Sequence, residues 1–174
     1  MWRAIDTLIA KVRAVARGGR SRDFGKTPRE NAAPSVARVV VLGLLGSDQE
    51  RRVLAGLGSD QGWEIQFSDT CTDALAACDA HKVPVILCDR DLPSSDWRHV
   101  IQTLASSSRP ACVILLSRIV DDSLWEEVIR CGGYDILAKP LSRNEVLRVV
   151  KLARSFWDGM MKMPAYSTKR LSSR

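Results

Sequence analysis

The 174 residues are 45% hydrophobic and 26% charged, the make-up of a soluble globular protein with room for one compact domain and some length to spare. The net charge of +6 sits at the ends. Residues 1–36 hold eight Lys/Arg against three Asp/Glu and residues 159–174 four against none, whereas residues 37–158 hold fourteen against seventeen, so the part that reads as folded lacks the basicity of a nucleic-acid binder.

The five cysteines, Cys71, Cys78, Cys88, Cys112 and Cys131, are odd in number and form no C-x-x-C pair. Each lies in or beside an apolar stretch, which reads as free buried thiols and a reducing cytoplasm. With His81 and His99 the only histidines, no zinc cluster is expected. No apolar run reaches the roughly 18 residues of a membrane span, and the basic N-terminus lacks the apolar core of a secretory signal.

In chain order, residues 1–17 place Trp2, Ile5, Leu8, Ile9, Val12 and Val15 at helical spacing among Arg3, Lys11, Arg13 and Arg17, predicting a basic amphipathic helix. It is read as a loosely ordered leader in preference to a membrane-surface or partner contact. Residues 18–35, rich in Gly, Arg, Ser, Asn and Pro, read as a flexible linker. From 36 to 158 short apolar runs alternate with helical patterns. Strands are predicted at Ala37–Leu45, Trp63–Phe67, Val83–Cys88, Cys112–Leu116 and Tyr134–Ala138. Helices are predicted at Ser47–Leu57, Thr70–Ala80, Asp96–Leu104, Asp122–Cys131 and Arg143–Trp157. Ser47-x-x-Glu50, Thr70-x-x-Asp73 and Ser142-x-x-Glu145 read as capping boxes. Leu124 and Val128 are assigned to the core and Trp125 to a partly buried packing position. Residues 159–174 are read as a basic flexible tail.

Five β-α units with continuously apolar strands predict a parallel sheet covered on both faces. Ligands of such sheets sit beyond the carboxyl ends of the strands. Three of those ends are polar: Asp89 follows the third strand, Ser117 the fourth and Lys139-Pro140 the fifth. A carboxylate that attacks phosphorus, a hydroxyl that bonds a phosphoryl oxygen and an ammonium that neutralises its charge make a coherent set. Gly56-x-Gly58-x-x-x-Gly62 follows a helix and precedes a strand, the reverse of a dinucleotide loop, and is rejected as one.

On Asp89-Arg90-Asp91-Leu92-Pro93-Ser94-Ser95-Asp96, Ser117 and Gly132-Gly133-Tyr134-Asp135-Ile136-Leu137-Ala138-Lys139-Pro140, residues 37–157 resemble the response-regulator receiver domains. The resemblance implies a flavodoxin-like, doubly wound (βα)5 fold with a five-stranded parallel sheet. It implies Asp89 as phosphoacceptor, Ser117 and Lys139 as phosphoryl ligands, and Mg²⁺ held by Asp89 and the backbone carbonyl of Asp91. The implied partners are a histidine kinase or phosphotransfer protein, and a downstream protein or second copy at the face of the fourth helix, fifth strand and fifth helix. With about 35 residues before the domain and 17 after it, no DNA-binding domain is expected.

The sequence departs from the family pattern at three points. The two acids that family members place after the first strand are replaced by Gly43-Leu44-Leu45-Gly46, the switch aromatic by Ile136, and two small residues by Trp97 and Arg118. Arg118 is a candidate source of compensating positive charge. Asp48 and Glu50 are candidate replacement acids, although the capping box already accounts for Glu50. Three functions stay open: a stand-alone phosphorylated receiver, a pseudo-receiver that binds partners without phosphorylation, and a haloacid-dehalogenase-like phosphatase using Asp89-x-Asp91. The last needs a further acid after Lys139, and Glu145 and Asp158 are the only ones present.

Overall fold

The computed structural model describes residues 38–93, 95–107 and 111–162. Residues 1–17, the linker at 18–35 and most of the tail predicted from 159 lie outside the described residues. The apolar runs become strands β1 (Val40–Leu44), β2 (Glu64–Ser68), β3 (Val85–Asp89), β4 (Cys112–Ser117) and β5 (Asp135–Ala138). Between and after them lie α1 (Asp48–Gln61), α2 (Cys71–Ala80), α3 (Trp97–Ala105), α4 (Asp122–Arg130) and α5 (Arg143–Lys162). All neighbouring strands pair in parallel, in the order β2-β1-β3-β4-β5, which is the doubly wound flavodoxin-like arrangement.

The strands are continuously apolar because both faces of the sheet are covered, and the pleat divides their side chains between two cores. Leu42, Leu44, Ile86, Cys88, Val113, Leu115 and Ile136 pack against residues of α2, α3 and α4. Val41, Val85, Leu87, Ile114, Leu116 and Leu137 pack against Leu54 and Leu57 of α1 and Val146, Val149, Val150 and Ala153 of α5. Leu124 and Val128 are buried and Trp125 is partly buried, as assigned.

The predicted elements all form, with shifted ends. Asp89 is itself the last residue of β3, not the first residue beyond it, so its carboxylate issues from paired strand backbone. Helix α1 runs past Leu57 to Gln61 and stops where Gly62, at φ 67°, takes the left-handed cap and donates its N–H to the carbonyls of Gly58 and Ser59. Gly58 is tolerated inside this helix because Ile65 lies against it: a Cβ there would stand 2.2 Å from Ile65 Cγ1. Helix α5 extends through Lys162, four residues into the predicted tail. No described helix is long and apolar enough to cross a membrane.

Two of the three capping boxes can be judged. Thr70 Oγ1 accepts from the Asp73 N–H at 3.1 Å, as expected of a cap. Ser47 precedes α1 with extended backbone but makes no side-chain cap bond, and Glu50 points elsewhere. Asp96 and Asp121 cap α3 and α4 by accepting from the N–H groups of Arg98 and Leu124.

The cysteines are free, and burial pushes Cys78 up to about 11 and Cys88 and Cys112 up to about 12. In the unfolded chain such thiols ionise near ~8.5. Their raised values in the fold contribute stability that is complete below that pH and lost as pH rises through 11 to 12. The urea midpoint is therefore expected to fall progressively from about pH 8.5 upward, and Cys88→Ala/Cys112→Ala to make that fall shallower. An unchanged slope in the double variant would refute this assignment.

Candidate functional site

Parallel pairing brings three strand ends to one rim. Asp89 pairs in register with Leu116, and Ser117 with Ala138, the residue before Lys139. Two backbone bonds carry the register into the loops: Arg90 N–H to the Leu116 carbonyl at 3.0 Å, and Lys139 N–H to the Ser117 carbonyl at 2.9 Å. The Lys139–Pro140 peptide is cis.

Asp89 and Lys139 meet as anticipated. Lys139 Nζ donates to Asp89 Oδ1 at 2.7 Å, and the same oxygen accepts from the Asp91 N–H at 2.9 Å. Both partners are nearly enclosed, with side chains 6% and 4% exposed. The Lys139 ammonium also makes a second ion pair, to Glu50 Oε1 at 3.0 Å. Burial acts to lower the lysine's pKa, but hydrogen bonds and charge from Asp89 and Glu50 outweigh it and hold the ammonium above its ordinary range.

Glu50 corrects the reading of the sequence. It is not the reciprocal arm of a capping box; it leaves the first turn of α1 and reaches the strand-end rim. Its other oxygen, Oε2, is buried and has no hydrogen-bond partner. The capping pattern concealed this role, because a Glu three residues after a Ser serves either purpose and local spacing cannot distinguish them.

Ser117 is buried at the same rim, but its hydrogen bonds turn toward its own loop. Its hydroxyl donates to the Ile119 carbonyl at 2.6 Å and accepts from the Ile119 N–H at 3.2 Å. It also accepts from Arg90 Nη1 at 3.3 Å. Arg90 was not singled out by the sequence, whereas Arg118, considered as a source of charge, is exposed. The guanidinium that reaches the site thus comes from the residue after Asp89.

In the stretch 43–46, where family members place two acids, Leu44 and Leu45 are buried in the two cores and no carboxylate of that stretch reaches the rim. Arg51 holds the turn that follows, donating from Nη2 and Nε to the Leu45 carbonyl at 2.7 and 3.1 Å, while it also pairs with Asp69. This leaves Gly46 facing Asp89: a Cβ there would lie 3.8 Å from Asp89 Oδ2 and 3.9 Å from the Asp91 carbonyl oxygen.

Among the described residues no three His, Cys, Asp or Glu side chains gather as a metal cluster. Asp89 Oδ2 and the Asp91 carbonyl nevertheless converge on the space beside Gly46, and both are hard oxygen donors. Mg²⁺, which keeps several waters and takes one or two carboxylates, fits that set. Ile136 is 9% exposed and belongs to the core. Trp97 is buried under the Arg98 guanidinium, which lies 4.6 Å from its ring centroid and also binds Glu127 of α4.

One ammonium faces two carboxylates. Removing Lys139 leaves both without their cation, and Lys139→Met is expected to cost about 3 kcal/mol. Asp89→Asn leaves Lys139 and Glu50 matched one to one, so it is expected to be neutral or stabilising. Urea denaturation at pH 7 separates the two, and an equal loss in both variants would refute the charge count.

A family model of the response regulator receiver domain matches residues 48–151, more than half of the chain. The regulatory protein AtoC of Escherichia coli (strain K12) is 28% identical over 107 residues, covering 61% of this chain and 23% of AtoC, so the chain spans under a quarter of that relative. Among solved structures, the chemotaxis protein CheY4 of Vibrio cholerae aligns with a TM-score of 0.63 at 19% identity, over 67% of this chain and 99% of that one. The receiver domain of the sensor histidine kinase PA1611 of Pseudomonas aeruginosa PAO1, described with a magnesium ion coordinated in its active-site cleft, aligns with a TM-score of 0.60 at 19% identity, over 68% and 99%. At such identities the structural likeness speaks for the fold. Taken with the match over residues 48–151, it places this chain in the response regulator receiver domain family of two-component signalling.

Proposed function

We propose that this chain receives a phosphoryl group on Asp89 from a histidine kinase or phosphotransfer protein and acts through protein contacts. The observation that carries the reading is the buried Asp89 carboxylate with the Lys139 ammonium 2.7 Å away. Oδ1 is held by Lys139 and the Asp91 N–H, which turns Oδ2 toward the open side at Gly46. One oxygen of the Asp89 carboxylate is the nucleophile: its bond to phosphorus forms as the donor's bond to phosphorus breaks. Lys139 neutralises charge on the transferred group. The Ser117 hydroxyl, now bonded within its loop, supplies a hydrogen bond to a phosphoryl oxygen after turning inward.

Asp89 and the Asp91 carbonyl would hold Mg²⁺, which when bound supplies positive charge to the phosphoryl oxygens. With Ile136 set in the core, that position offers no aromatic to swing, and any conformational response is expected to be weak. For the output, the proposed face on α4, β5 and α5 exposes Ile129, Leu152 and Phe156 at 38, 48 and 44%.

A second reading, the phosphorylation-independent pseudo-receiver, draws support from the double engagement of Lys139 and from the stretch 43–46, which lacks the family's acidic pair. The phosphatase reading lacks such support: Glu145 is exposed in the first turn of α5 and Asp158 pairs with Arg154.

Intact-mass spectrometry after incubation with acetyl phosphate and Mg²⁺ distinguishes the first two readings. The wild type is expected to gain one phosphoryl adduct and Asp89→Asn none. An adduct on both would place the acceptor elsewhere, and none on the wild type would favour the pseudo-receiver.

A further inference from the structure

We infer that Glu50 is a positioning residue that restrains phosphorylation of Asp89, by holding part of the Lys139 ammonium the phosphoryl group needs. The inference rests on the phosphoacceptor reading of Asp89 and adds a regulation specific to this chain.

Three observations carry it. First, the Lys139 ammonium is divided between Asp89 Oδ1 at 2.7 Å and Glu50 Oε1 at 3.0 Å, in a site where the lysine side chain is only 6% exposed. Second, the trio carries two negative charges and one positive, and neither of the nearby guanidinium groups pairs with Asp89 or Glu50. Arg51 binds the Leu45 carbonyl and Asp69, and Arg90 binds the Ser117 hydroxyl. Third, Glu50 Oε2 is buried without a partner. A buried unpaired oxygen is costly to stability, and no capping bond at Ser47 accounts for the carboxylate there.

Phosphorylation replaces the single charge of the Asp89 carboxylate with the roughly two negative charges of the phosphoryl group, a net gain of about one. To neutralise that group, Lys139 must move off Glu50, leaving that carboxylate without a cation beside the phosphoryl group. Like charges at such separation in a partly buried site repel by an amount that matters for occupancy. Glu50 therefore disfavours the phosphorylated state relative to the unphosphorylated one, and its neutralisation frees Lys139 for the phosphoryl oxygens. If Glu50 served only to anchor Lys139, its removal would have the opposite sign, because a displaced lysine would lower phosphorylation.

The test compares the wild type, Glu50→Gln and Lys139→Met/Glu50→Gln. Each is incubated with acetyl phosphate at saturating Mg²⁺, and the phosphorylated fraction and its decay after donor removal are followed by intact mass. Urea denaturation of each protein accompanies the assay. Glu50→Gln is expected to fold with a midpoint no lower than wild type and to raise the ratio of phosphorylated to unphosphorylated protein at least fivefold, a gain that vanishes without Lys139. Glu50→Asp, which keeps the charge, is expected to stay near wild type. Equal or lower phosphorylation in folded Glu50→Gln, with the wild type modified, would overturn the restraint and leave the phosphoacceptor reading intact. No adduct on either would overturn both, and an adduct on Glu50→Gln alone would establish the restraint in its strongest form. Should Glu50→Gln fail to fold, the role is structural and the inference falls.

Discussion

The strand-end site depends on one ammonium group. Lys139 lies where the ends of β3, β4 and β5 meet α1, almost closed to solvent, and serves two carboxylates from different elements. A buried carboxylate without a partner is costly, and two without one are costlier still. The lysine thus gives Asp89 a cationic partner at the end of a fully buried strand. The Lys139 cluster pairs one ammonium with two carboxylates.

The rest of the fold holds this group in place. The two cores, one on each side of the sheet, fix the strands against sliding, since a one-residue slip would exchange the side chains of the two faces. Register then determines that Asp89, Ser117 and Lys139 emerge together. On the α1 side, Arg51 fastens the turn after β1 by its carbonyl at Leu45, so the missing carboxylates there are replaced by a clamp on backbone. On the α4 side, Arg98 ties α3 to α4 through Glu127. Its exposed ion pair contributes modestly to stability, but it links the helix that follows the Asp89 loop to a face proposed for partners.

Much of this was legible in the sequence because it rests on period and order. Continuous apolar strands alternating with amphipathic helices announce a parallel sheet with two covered faces, and a polar residue at the end of each of three strands announces a common rim. Errors at element ends were those of local competition. Asp89, expected just beyond β3, is retained in it by pairing with Leu116 and by burial. Helix α1, expected to end at Leu57, runs on to Gln61, and Ile65 fills the space over Gly58 within it.

Glu50 marks the boundary between the two kinds of knowledge. By sequence it is a Glu three residues after a Ser at a helix start, and hydrogen bonding within one turn is a sufficient reason for it. Its contact with Lys139 spans most of the domain, and such a contact has no local signature. Arg90 and Arg118 show the same limit: adjacency to Ser117 in the chain favoured Arg118, whereas the side chain that reaches the Ser117 hydroxyl belongs to the neighbouring strand's loop. The sequence by itself determined the alternation of elements, the two-faced sheet and the identity of the three strand-end groups, because these follow from periodicity and residue chemistry. Only the tertiary structure decided which charges share which partner, because that depends on distances between elements far apart in the chain.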